Sequence, residues 1–344
     1  MTVPLPAALA VYAAAGGPEA GEPYVLLADR DDGTVVRCGP AVAKAHAGDA
    51  DREGLAVRMR IAGDRALAGV LLAPLRPGFG SVHGRPVSLW PYGTPVDPER
   101  PEDAPWEEAA RLLAALHRTP PAGLPGPVPP MRGPAKVARA LHRLARALPV
   151  PVPEGAGDPN DAGDPNDAGD PNDAGDPNDA GGAGVRAVRA AALTLPAWAR
   201  GEAAAPVGGA LCHGDLHLGQ LVRHPAPDGP WLLIDVDDLG LGAPAWDLAR
   251  PAAWYAAGLL DTGTWLRFLD AYRAAGGPAA GPPGSDPWPE LDLAARALTV
   301  QTAALALAKA AGAGRRLDDG ERLMVDACAR IAGLPADLES GPPS

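Results

Sequence analysis

Residues 213–220, with the sequence HGDLHLGQ, concentrate side chains that could carry out a reaction. Asp215 lies in a predicted tight turn, where its carboxylate can accept a proton from a hydroxyl group. Gln220 follows five residues later, and its amide oxygen can coordinate a cation. Asp235 ends an apolar run twenty residues after Asp215, and a carboxylate there can hold the same cation against a polyphosphate. Phosphoryl transfer uses a base together with ligands for a cation that binds the phosphates. The spacing of these residues therefore indicates phosphoryl transfer.

These residues, together with the later segment GLGAPAWDLAR, resemble the aminoglycoside phosphotransferase/choline kinase-like superfamily, whose members share the bilobal fold of protein kinases. The resemblance is specific over about 211–250 and keeps the family's order over 23–340. The HGDLHLGQ motif is especially similar to bacterial maltokinases and the related glucosamine kinases. The resemblance implies an α+β protein with a bilobal protein-kinase-like fold, made of a small β-rich N-lobe and a larger helical C-lobe.

The resemblance implies a role for each polar residue of this region. Asp215 would be the catalytic base, and Gln220 and Asp235 would bind Mg2+. His213 would brace the catalytic loop, and Asp247, in the motif DLAR, would steady it. ATP and Mg2+ are therefore the expected cofactors.

Two positions of the motif leave alternatives open. Many relatives carry Asn where this chain has Gln220, whose side-chain carbonyl lies one methylene further from the backbone. The alternative to a functional kinase is therefore a pseudokinase with a damaged metal site. The maltokinase-like pattern carries this Gln, which argues for a functional site. His217 could approach the acceptor hydroxyl or orient the loop, and we favour the second interpretation.

Lys44 is the candidate for binding the nucleotide phosphates. It lies in AVAKAH, residues 41–46, whose composition is typical of a strand. Lysine extends a point charge toward phosphates and can pair with a carboxylate on the following helix. Glu53 is the preferred partner, because Asp49 and Asp51 stand nearer the helix start, where they would serve as caps. The alternative is an ordinary solvated lysine at a sheet edge.

The remaining parts of a nucleotide site are less marked. LWPYG, at 89–93, falls where an interlobe hinge is expected, so Trp90 and Tyr92 could contact adenine through their backbone. A core position for Trp90 is the alternative. A glycine-rich cover loop should precede the lysine-bearing strand, but the turn at 30–34 has one glycine. GFGSVHG, at 78–84, follows that strand, and its length favours a hairpin between the fourth and fifth strands.

Turn signals and hydrophobic periodicity predict the elements that position these residues. Strands are expected at 23–29, 35–40, 41–46, 69–75, 85–93 and 230–236. Helices are expected at about 49–61, 104–118, 134–148, 185–200, 246–275, 290–313 and 317–333. The first helix would be capped by Asp49, and His117 and His142 would lie at a surface or core edge. The nucleotide-binding N-lobe would span 1–93, and the C-lobe with the catalytic and acceptor sites would span 94–340.

Four tandem copies of DPNDAG occupy residues 158–181. Their Pro, Gly and Asp content disfavours helix and strand and provides no apolar surface, so a disordered insert is expected at 155–183 within the C-lobe. A metal-binding repeat is the alternative, although the spacing lacks the ligand pattern of an EF-hand. Removing their eight Asp from the net charge of −12 leaves −4, so most of the acidity belongs to this insert.

Composition excludes several other classes of protein. The acidic balance, with pI ≈ 5.0, argues against nucleic-acid binding. Cys38, Cys212 and Cys328 are widely spaced with no CxxC, which argues against a disulfide framework or a zinc site. The N-terminus has no basic region before its short apolar stretch, and no apolar run of about 18 residues occurs, so neither a signal peptide nor a membrane span is expected. A cytoplasmic protein without a membrane partner follows as the prediction.

Only the resemblance indicates the acceptor of the phosphoryl group, which would be a hydroxyl on a sugar, an aminoglycoside or an amino alcohol. Asp237 and Gln301 could contact it, as could Trp254 or Glu290, with helix surface or core packing as the alternative for each. The expected activity is ATP- and Mg2+-dependent phosphorylation of a sugar or amino sugar. Glucosamine is the first choice of acceptor, because the motif is maltokinase-like and the chain is shorter than full-length maltokinases. An aminoglycoside or other antibiotic phosphotransferase and a non-catalytic nucleotide-binding pseudokinase are the alternatives.

Overall fold

The computed structural model describes residues 3–14, 23–30, 33–149, 177–206 and 208–334, which form a mixed α+β fold. The strands are β1 Val25–Arg30, β2 Gly33–Cys38, β3 Ala41–His46, β4 Gly80–Val82, β5 Arg85–Pro91, β6 Thr94–Pro95, β7 Ala210–Cys212, β8 Leu221–Arg223, β9 Trp231–Leu233 and β10 Gly240–Gly242. The helices are α1 Leu5–Ala14, α2 Arg52–Ala62, α3 Trp106–Arg118, α4 Gly133–Ala147, α5 Pro177–Leu193, α6 Ala245–Ala257, α7 Thr262–Ala274, α8 Trp288–Ala313 and α9 Asp319–Ala332. The main sheet lies in the N-terminal region and most helices in the C-terminal region, which confirms the predicted fold class.

Five strands form an antiparallel sheet in the order β1-β2-β3-β5-β4. The predicted strands at 23–29, 35–40, 41–46 and 85–93 correspond to β1, β2, β3 and β5. The strand predicted at 69–75 is wrong, because this segment makes only a single parallel bridge, between Leu71 and Leu233. Pro74 interrupts it, and proline has no amide hydrogen to give to a ladder. Two shorter sheets, β10-β7 and β6-β8-β9, follow in the region of the catalytic motif.

The main sheet has one apolar face, which packs against α1. Ala43 and Ala45 of β3 join Val87 and Leu89 of β5 in a buried cluster with Leu9 of the helix. The short N-terminal apolar stretch, for which the sequence analysis proposed no structure, therefore forms the helix that covers this face.

The opposite face of the same strands carries polar side chains. Lys44 lies directly across from Ser88 in the β3–β5 ladder, and His46 follows two residues later. Because successive side chains of a strand alternate between faces, all three belong to the face turned away from α1. Lys44 is thus presented by a sheet whose other side is anchored in the core.

Helix α2 begins one residue after Asp51, whose side chain accepts the amide of Gly54 at 3.0 Å. The prediction of Asp49 as the N-cap is therefore wrong, since the helix begins later than the pattern indicated. Arg58, on the buried side of α2, donates its Nε hydrogen to the carbonyl of Leu239 at 2.7 Å. This bond joins the helix to the segment that follows Asp235.

The segment GFGSVHG contains β4 and the two-residue turn that joins it to β5. The predicted hairpin is therefore present, but its first strand lies within this segment and not at 69–75. Its tip has positive φ at both central residues, 49° at His83 and 78° at Gly84. That combination is typical of a type I′ turn, whose twist matches the flanking strands. The segment therefore connects two strands and does not stand before Lys44 as a phosphate cover. Residues 31 and 32 of the earlier turn lie outside the described part of the chain.

The chain divides into two compact units, drawn from residues 1–133, 207–248 and 262–291 and from residues 134–206, 249–261 and 292–344. The first contains the main sheet and the pair α3 and α7, which pack together. The second contains α5 and α9, which also pack against each other. The predicted lobe boundary between residues 93 and 94 stays a prediction.

Helix α8 is long and apolar enough to cross a membrane by length and composition, and 67% of its most apolar window is buried inside the protein. Burial of that extent is typical of a core helix. Polar residues such as Gln301 and Lys309 interrupt its apolar residues, so its sequence contains no uninterrupted apolar run of about 18 residues.

The predicted disordered insert at 155–183 lies mostly outside the described residues. The described chain resumes at Pro177, inside the last DPNDAG copy, where the backbone of α5 begins. This helix starts earlier than the predicted 185, so the end of the last repeat belongs to it.

Candidate active site

The HGD turn follows β7 directly and depends on a glycine. Gly214 has a φ of 83°, and a Cβ at this position would lie 2.4 Å from the carbonyl oxygen of Asp238. The left-handed backbone and the close approach both disfavour a side chain. The turn is thereby held against residues 235–238, and Asp215, which is half-buried, comes directly after it.

Asp247 holds this turn through two backbone amides. The amide of His213 donates to its Oδ2 at 2.6 Å, and the amide of Gly214 donates to its Oδ1 at 2.7 Å. Burial opposes the charge of the Asp247 carboxylate, but hydrogen bonds from His117 and from the Gly214 amide, with the nearby imidazoles, outweigh burial and lower its pKa. The structure thus places a buried anion where the resemblance implied a steadying residue.

A buried chain of hydrogen bonds continues from Asp247 to α7. His117 lies with Nε2 2.9 Å from Asp247 Oδ2 and with Nδ1 2.8 Å from the Tyr272 hydroxyl. Because a carboxylate only accepts, Nε2 carries the hydrogen, and Nδ1 of the neutral ring accepts from the tyrosine. Burial raises the pKa of Tyr272, so it remains a donor. The amide of Ala279 donates to the same hydroxyl oxygen at 3.2 Å, so every polar atom of the chain has a partner.

The sequence analysis missed the role of His117, which is 5% exposed where a surface or core-edge position was expected. A signal was available. His117 follows Leu113 by four residues and so continues the apolar face of α3. A histidine on such a face must find buried hydrogen-bond partners, and here they are the residues that support the HGD turn.

The metal-binding candidates meet at the end of β9. The His213 imidazole donates from Nε2 to the carbonyl of Ile234 at 2.8 Å, which ties the HGD turn to the residue before Asp235. Asp235 has a φ of 66°, a left-handed conformation that aspartate tolerates better than most residues. The amide of Gln220 lies with its nitrogen 3.4 Å from Asp235 Oδ2. The two residues predicted to bind one cation are therefore adjacent.

Lys44 reaches the same point from the main sheet. Its ammonium group lies 2.5 Å from Asp235 Oδ1 and 3.1 Å from Asp237 Oδ2. Asp237 in turn lies 2.9 Å from Nδ1 of His46, through its Oδ1. The structure therefore brings together Lys44, Asp235 and Gln220, and it adds Asp237 and His46 to them.

Lys44 and Asp237 are each held in their charged form. Burial disfavours the charge of Lys44, but the carboxylates of Asp235 and Asp237 outweigh it and raise the pKa of the lysine. Burial likewise disfavours the charge of Asp237, but Lys44 and His46 outweigh it and hold the pKa of that carboxyl well below its usual range. An ammonium group and a carboxylate therefore lie side by side as ions at neutral pH.

Glu53 is not brought to this cluster. It is exposed in the first turn of α2, and the ammonium of Lys44 lies on Asp235 and Asp237 instead. The predicted pairing with a helix carboxylate therefore differs from the structure, because the turn after β9 supplies nearer carboxylates.

The predicted hinge residues are engaged within the protein. The amide of Tyr92 donates to the carbonyl of Pro40 at 2.7 Å, and its carbonyl accepts from Nδ1 of His224 at 3.0 Å. Trp90 is 8% exposed and donates its indole hydrogen to Ser88 Oγ at 2.8 Å. The structure favours the core alternative for Trp90, and an adenine contact through these groups of Tyr92 would have to replace bonds that they already make.

Three further candidates from the sequence occupy different places. The ring of His217 lies over Gly219, where a Cβ would come within 2.9 Å of it, and its carbonyl accepts the Gln220 amide at 2.8 Å. This position is compatible with orienting the loop between the base and the amide ligand. Asp237 lies beside Lys44, and Gln301 is a buried residue of α8 in the second unit.

The comparison that decides the family covers all residues of this cluster and of the HGD turn. A model of the phosphotransferase enzyme family matches residues 35–292, which is most of the chain. The chain belongs to the phosphotransferase enzyme family. No curated protein matches it.

Solved structures resemble this phosphotransferase at low sequence identity. A choline/ethanolamine kinase family protein from Mesorhizobium loti is 18% identical, with a TM-score of 0.50 over 92% of this chain and 90% of that chain. A thermostable mutant of aminoglycoside phosphotransferase APH(4)-Ia is 14% identical, with a TM-score of 0.53 over 90% and 94%. Choline kinase LicA from Streptococcus pneumoniae is 12% identical, with a TM-score of 0.51 over 90% and 93%. At these identities the likeness concerns the fold.

The donor set of the phosphotransferase cluster suits Mg2+. This ion takes oxygen ligands and needs only one or two carboxylates, since water and phosphates complete its shell. Asp235 supplies a carboxylate, and Gln220 presents its oxygen after a flip of the amide. These residues would hold the ion.

A second group of potential ligand atoms, on His117, Cys212 and Asp247, lies within 4.8 Å of one another. Burial, followed by the charge of Asp247, raises the pKa of the Cys212 thiol well above its usual range, so it is not a thiolate. Both ring nitrogens of His117 already have partners. The geometry is that of a hydrogen-bonded support for the HGD turn.

Proposed function

We propose that this phosphotransferase is an ATP- and Mg2+-dependent kinase that phosphorylates a hydroxyl group of a sugar or amino sugar, with glucosamine as the first choice. The observation that carries the proposal is the convergence of Lys44 and Gln220 on Asp235, each within hydrogen-bonding distance of its carboxylate. They lie beside an HGD turn whose backbone is fixed by Asp247. A phosphate-binding cation, metal ligands and a positioned base are the parts that phosphoryl transfer requires.

In the proposed reaction, Asp215 accepts the proton of the acceptor hydroxyl as its oxygen forms a bond to the γ-phosphorus of ATP. The bond from that phosphorus to the bridging oxygen breaks, and ADP leaves. Bound Mg2+ neutralises charge on the phosphates. Lys44 binds the same phosphates, and Asp247 keeps the turn that carries Asp215 from shifting.

The choice of acceptor is supported by the motif HGDLHLGQ, which is similar to maltokinase-like glucosamine kinases. An ammonium-bearing sugar also suits an acidic protein, whose net charge remains negative without the DPNDAG insert. Glucosamine would give glucosamine 6-phosphate. A cytoplasmic location, a small-molecule partner rather than nucleic acid, and an N-lobe at 1–93 with a C-lobe at 94–340 belong to the same proposal.

Aminoglycosides are the second candidate acceptor. One structure of similar fold, a mutant of APH(4)-Ia, is a ternary complex with AMP-PNP and hygromycin B. Aminoglycosides share with glucosamine an amino-sugar ring with free hydroxyl groups. The two acceptors therefore differ in size more than in the chemistry at the reacting group.

An acceptor panel tests the proposal. Purified protein is incubated with ATP, Mg2+ and glucosamine, glucose, maltose, an aminoglycoside or choline, and the phosphorylated product is identified by mass spectrometry. We expect phosphorylated glucosamine, with no product when Mg2+ is chelated. Product confined to the aminoglycoside or choline would refute glucosamine, and no product with any acceptor would refute the kinase assignment.

The matched control for the catalytic base is the same chemical change at an exposed site. Asp215→Asn should remove most of the product. Asp228→Asn, in the exposed turn between β8 and β9, should leave it unchanged. Equal loss in both variants would show that the effect is not specific to Asp215.

A further inference from the structure

The polar face of the main sheet carries a continuous hydrogen-bond chain that the proposed reaction does not yet use. Trp90 donates its indole hydrogen to Ser88 Oγ at 2.8 Å, and Ser88 Oγ lies 2.7 Å from Nε2 of His46. Nδ1 of His46 lies 2.9 Å from Asp237 Oδ1. Asp237 then contacts the ammonium of Lys44 at 3.1 Å. The chain therefore runs from a core aromatic residue to the lysine of the candidate active site.

The chemistry of the groups gives this chain a direction. Asp237 only accepts, so Nδ1 of His46 carries the hydrogen that it shares with the carboxylate. With this tautomer of imidazole, Nε2 accepts from the Ser88 hydroxyl, whose oxygen accepts from Trp90. His46 and Ser88 are 1% and 0% exposed, so their orientation is fixed by these bonds and by the strands that carry them. Every donor in the chain points toward Asp237.

Asp237 is the carboxylate best placed to orient Lys44 during the reaction. The other contact of the lysine is Asp235, which is also the carboxylate expected to serve the metal. Glu53, the partner expected from the sequence, is exposed on α2. A lysine that must reach phosphates keeps its position only if one of its partners is held by something else, and Asp237 is held by His46.

We propose that His46 is a positioning residue that fixes Asp237 as the standing counter-ion of Lys44, in place of a carboxylate on α2. The proposal rests on the proposed function, because it assigns Lys44 to the nucleotide phosphates. His46 touches neither nucleotide nor acceptor in this scheme. It acts through Asp237, and its contribution belongs to ATP binding rather than to the acceptor.

Three substitutions of His46 separate this role from simple packing. His46→Ala removes the hydrogen bond to Asp237, and loss of a bond to a charged group should raise the Kd and KM for ATP by about tenfold or more. His46→Asn places an amide hydrogen where Nδ1–H stood and should restore most of the ATP affinity. His46→Gln places its amide nearer Ser88 and should restore less. The KM for the acceptor should not change in any of them.

The competing carboxylates are compared in the same assay. Asp237→Asn should weaken ATP binding, measured by isothermal titration calorimetry, by about tenfold more than Glu53→Gln does. An equal or larger loss in Glu53→Gln would overturn the proposal, as would an unchanged Kd in His46→Ala or equal values in His46→Asn and His46→Gln. Should His46→Ala fail to fold, the Asn and Gln variants still decide the outcome.

The two proposals fail in different ways. If the wild-type protein binds ATP but phosphorylates no acceptor, the proposed function fails, while the calorimetric series still tests His46. If the wild-type protein transfers phosphate and the His46 variants bind ATP as the wild type does, the role of His46 fails alone.

Discussion

Replacing Asp247 with asparagine tests whether the HGD turn depends on a buried carboxylate. In the folded protein one oxygen of Asp247 accepts the His213 amide at 2.6 Å and the other accepts the Gly214 amide at 2.7 Å. The first oxygen also accepts from His117 at 2.9 Å. Asparagine keeps one oxygen and puts an NH2 group in place of the other. Whichever way the side-chain amide turns, its NH2 group faces at least one N–H donor of the turn or of His117.

The expected loss of stability follows from these contacts. Losing a hydrogen bond to a charged group costs about 1.5–3 kcal/mol, and leaving its buried partner unsatisfied costs about 1–3 kcal/mol more. Asp247→Asn should therefore lower the free energy of unfolding by about 2.5–6 kcal/mol. That is a large part of the roughly 5–15 kcal/mol that typically stabilises a folded protein.

Urea unfolding followed by tryptophan fluorescence measures this loss. Tyr272→Phe removes two neutral hydrogen bonds, to His117 and to the Ala279 amide, and should cost about 1–3 kcal/mol. Asp228→Asn, the same chemical change at an exposed site, should stay within about 0.5 kcal/mol of the wild type. A loss of unfolding free energy below about 0.5 kcal/mol in Asp247→Asn would refute the assignment of Asp247 as the support of the turn.

The pH dependence of the same difference provides a second check. The pKa of Asp247 is lower in the folded protein than in the unfolded chain. Its contribution is therefore fully present above the unfolded pKa of about 3.9 and is lost as the pH falls through the folded pKa. The gap in unfolding free energy between wild type and Asp247→Asn should accordingly shrink below about pH 4. A gap that stays constant there would contradict this linkage.

Three further predictions concern the metal, the turn and the insert. Asp235→Ala should abolish the Mg2+-dependent part of ATP binding measured by calorimetry, and an unchanged Mg2+ dependence would contradict the metal assignment. Gly214→Ala should lower the free energy of unfolding in urea by at least about 1–3 kcal/mol. Residue 214 has a φ of 83°, and the added Cβ would lie 2.4 Å from the Asp238 carbonyl oxygen. Wild-type stability of this variant would argue against a strained turn. Deleting 158–175, which spares the start of α5, should leave turnover unchanged, and a loss of turnover would show that the repeats contribute to the site.

The sequence predicted well those strands that are defined by neighbouring residues in the chain. The alternation in AVAKAH and the turn residues around it give strand β3 with its predicted bounds. The same reasoning fails at 69–75, where an apolar run of strand-forming residues makes one bridge to Leu233. A strand needs a neighbour for its hydrogen bonds, and no local pattern states which neighbour is available.

In the candidate site, too, contacts between residues close in sequence were predicted and contacts between residues far apart in sequence were not. The spacing of Asp215, Gln220 and Asp235 falls within one short stretch, and the last two lie together as predicted. Asp235, which contacts Lys44, lies 191 residues away in sequence, whereas the predicted partner Glu53 was chosen because it lies on the helix that follows the lysine-bearing strand. Three-dimensional contact decided otherwise, because the turn after β9 meets the polar face of the main sheet.

The central claim is that Asp215 and the cluster of Lys44, Asp235 and Gln220 form one phosphoryl-transfer site. The most direct measurement is transfer of radiolabelled γ-phosphate from ATP to the best acceptor of the panel, with Mg2+, by wild type and Asp215→Asn at equal folded concentration. We predict that kcat falls by about a hundredfold or more in the variant, as expected for loss of a general base, while the Kd for ATP is retained. Transfer by Asp215→Asn at the wild-type rate would contradict the account.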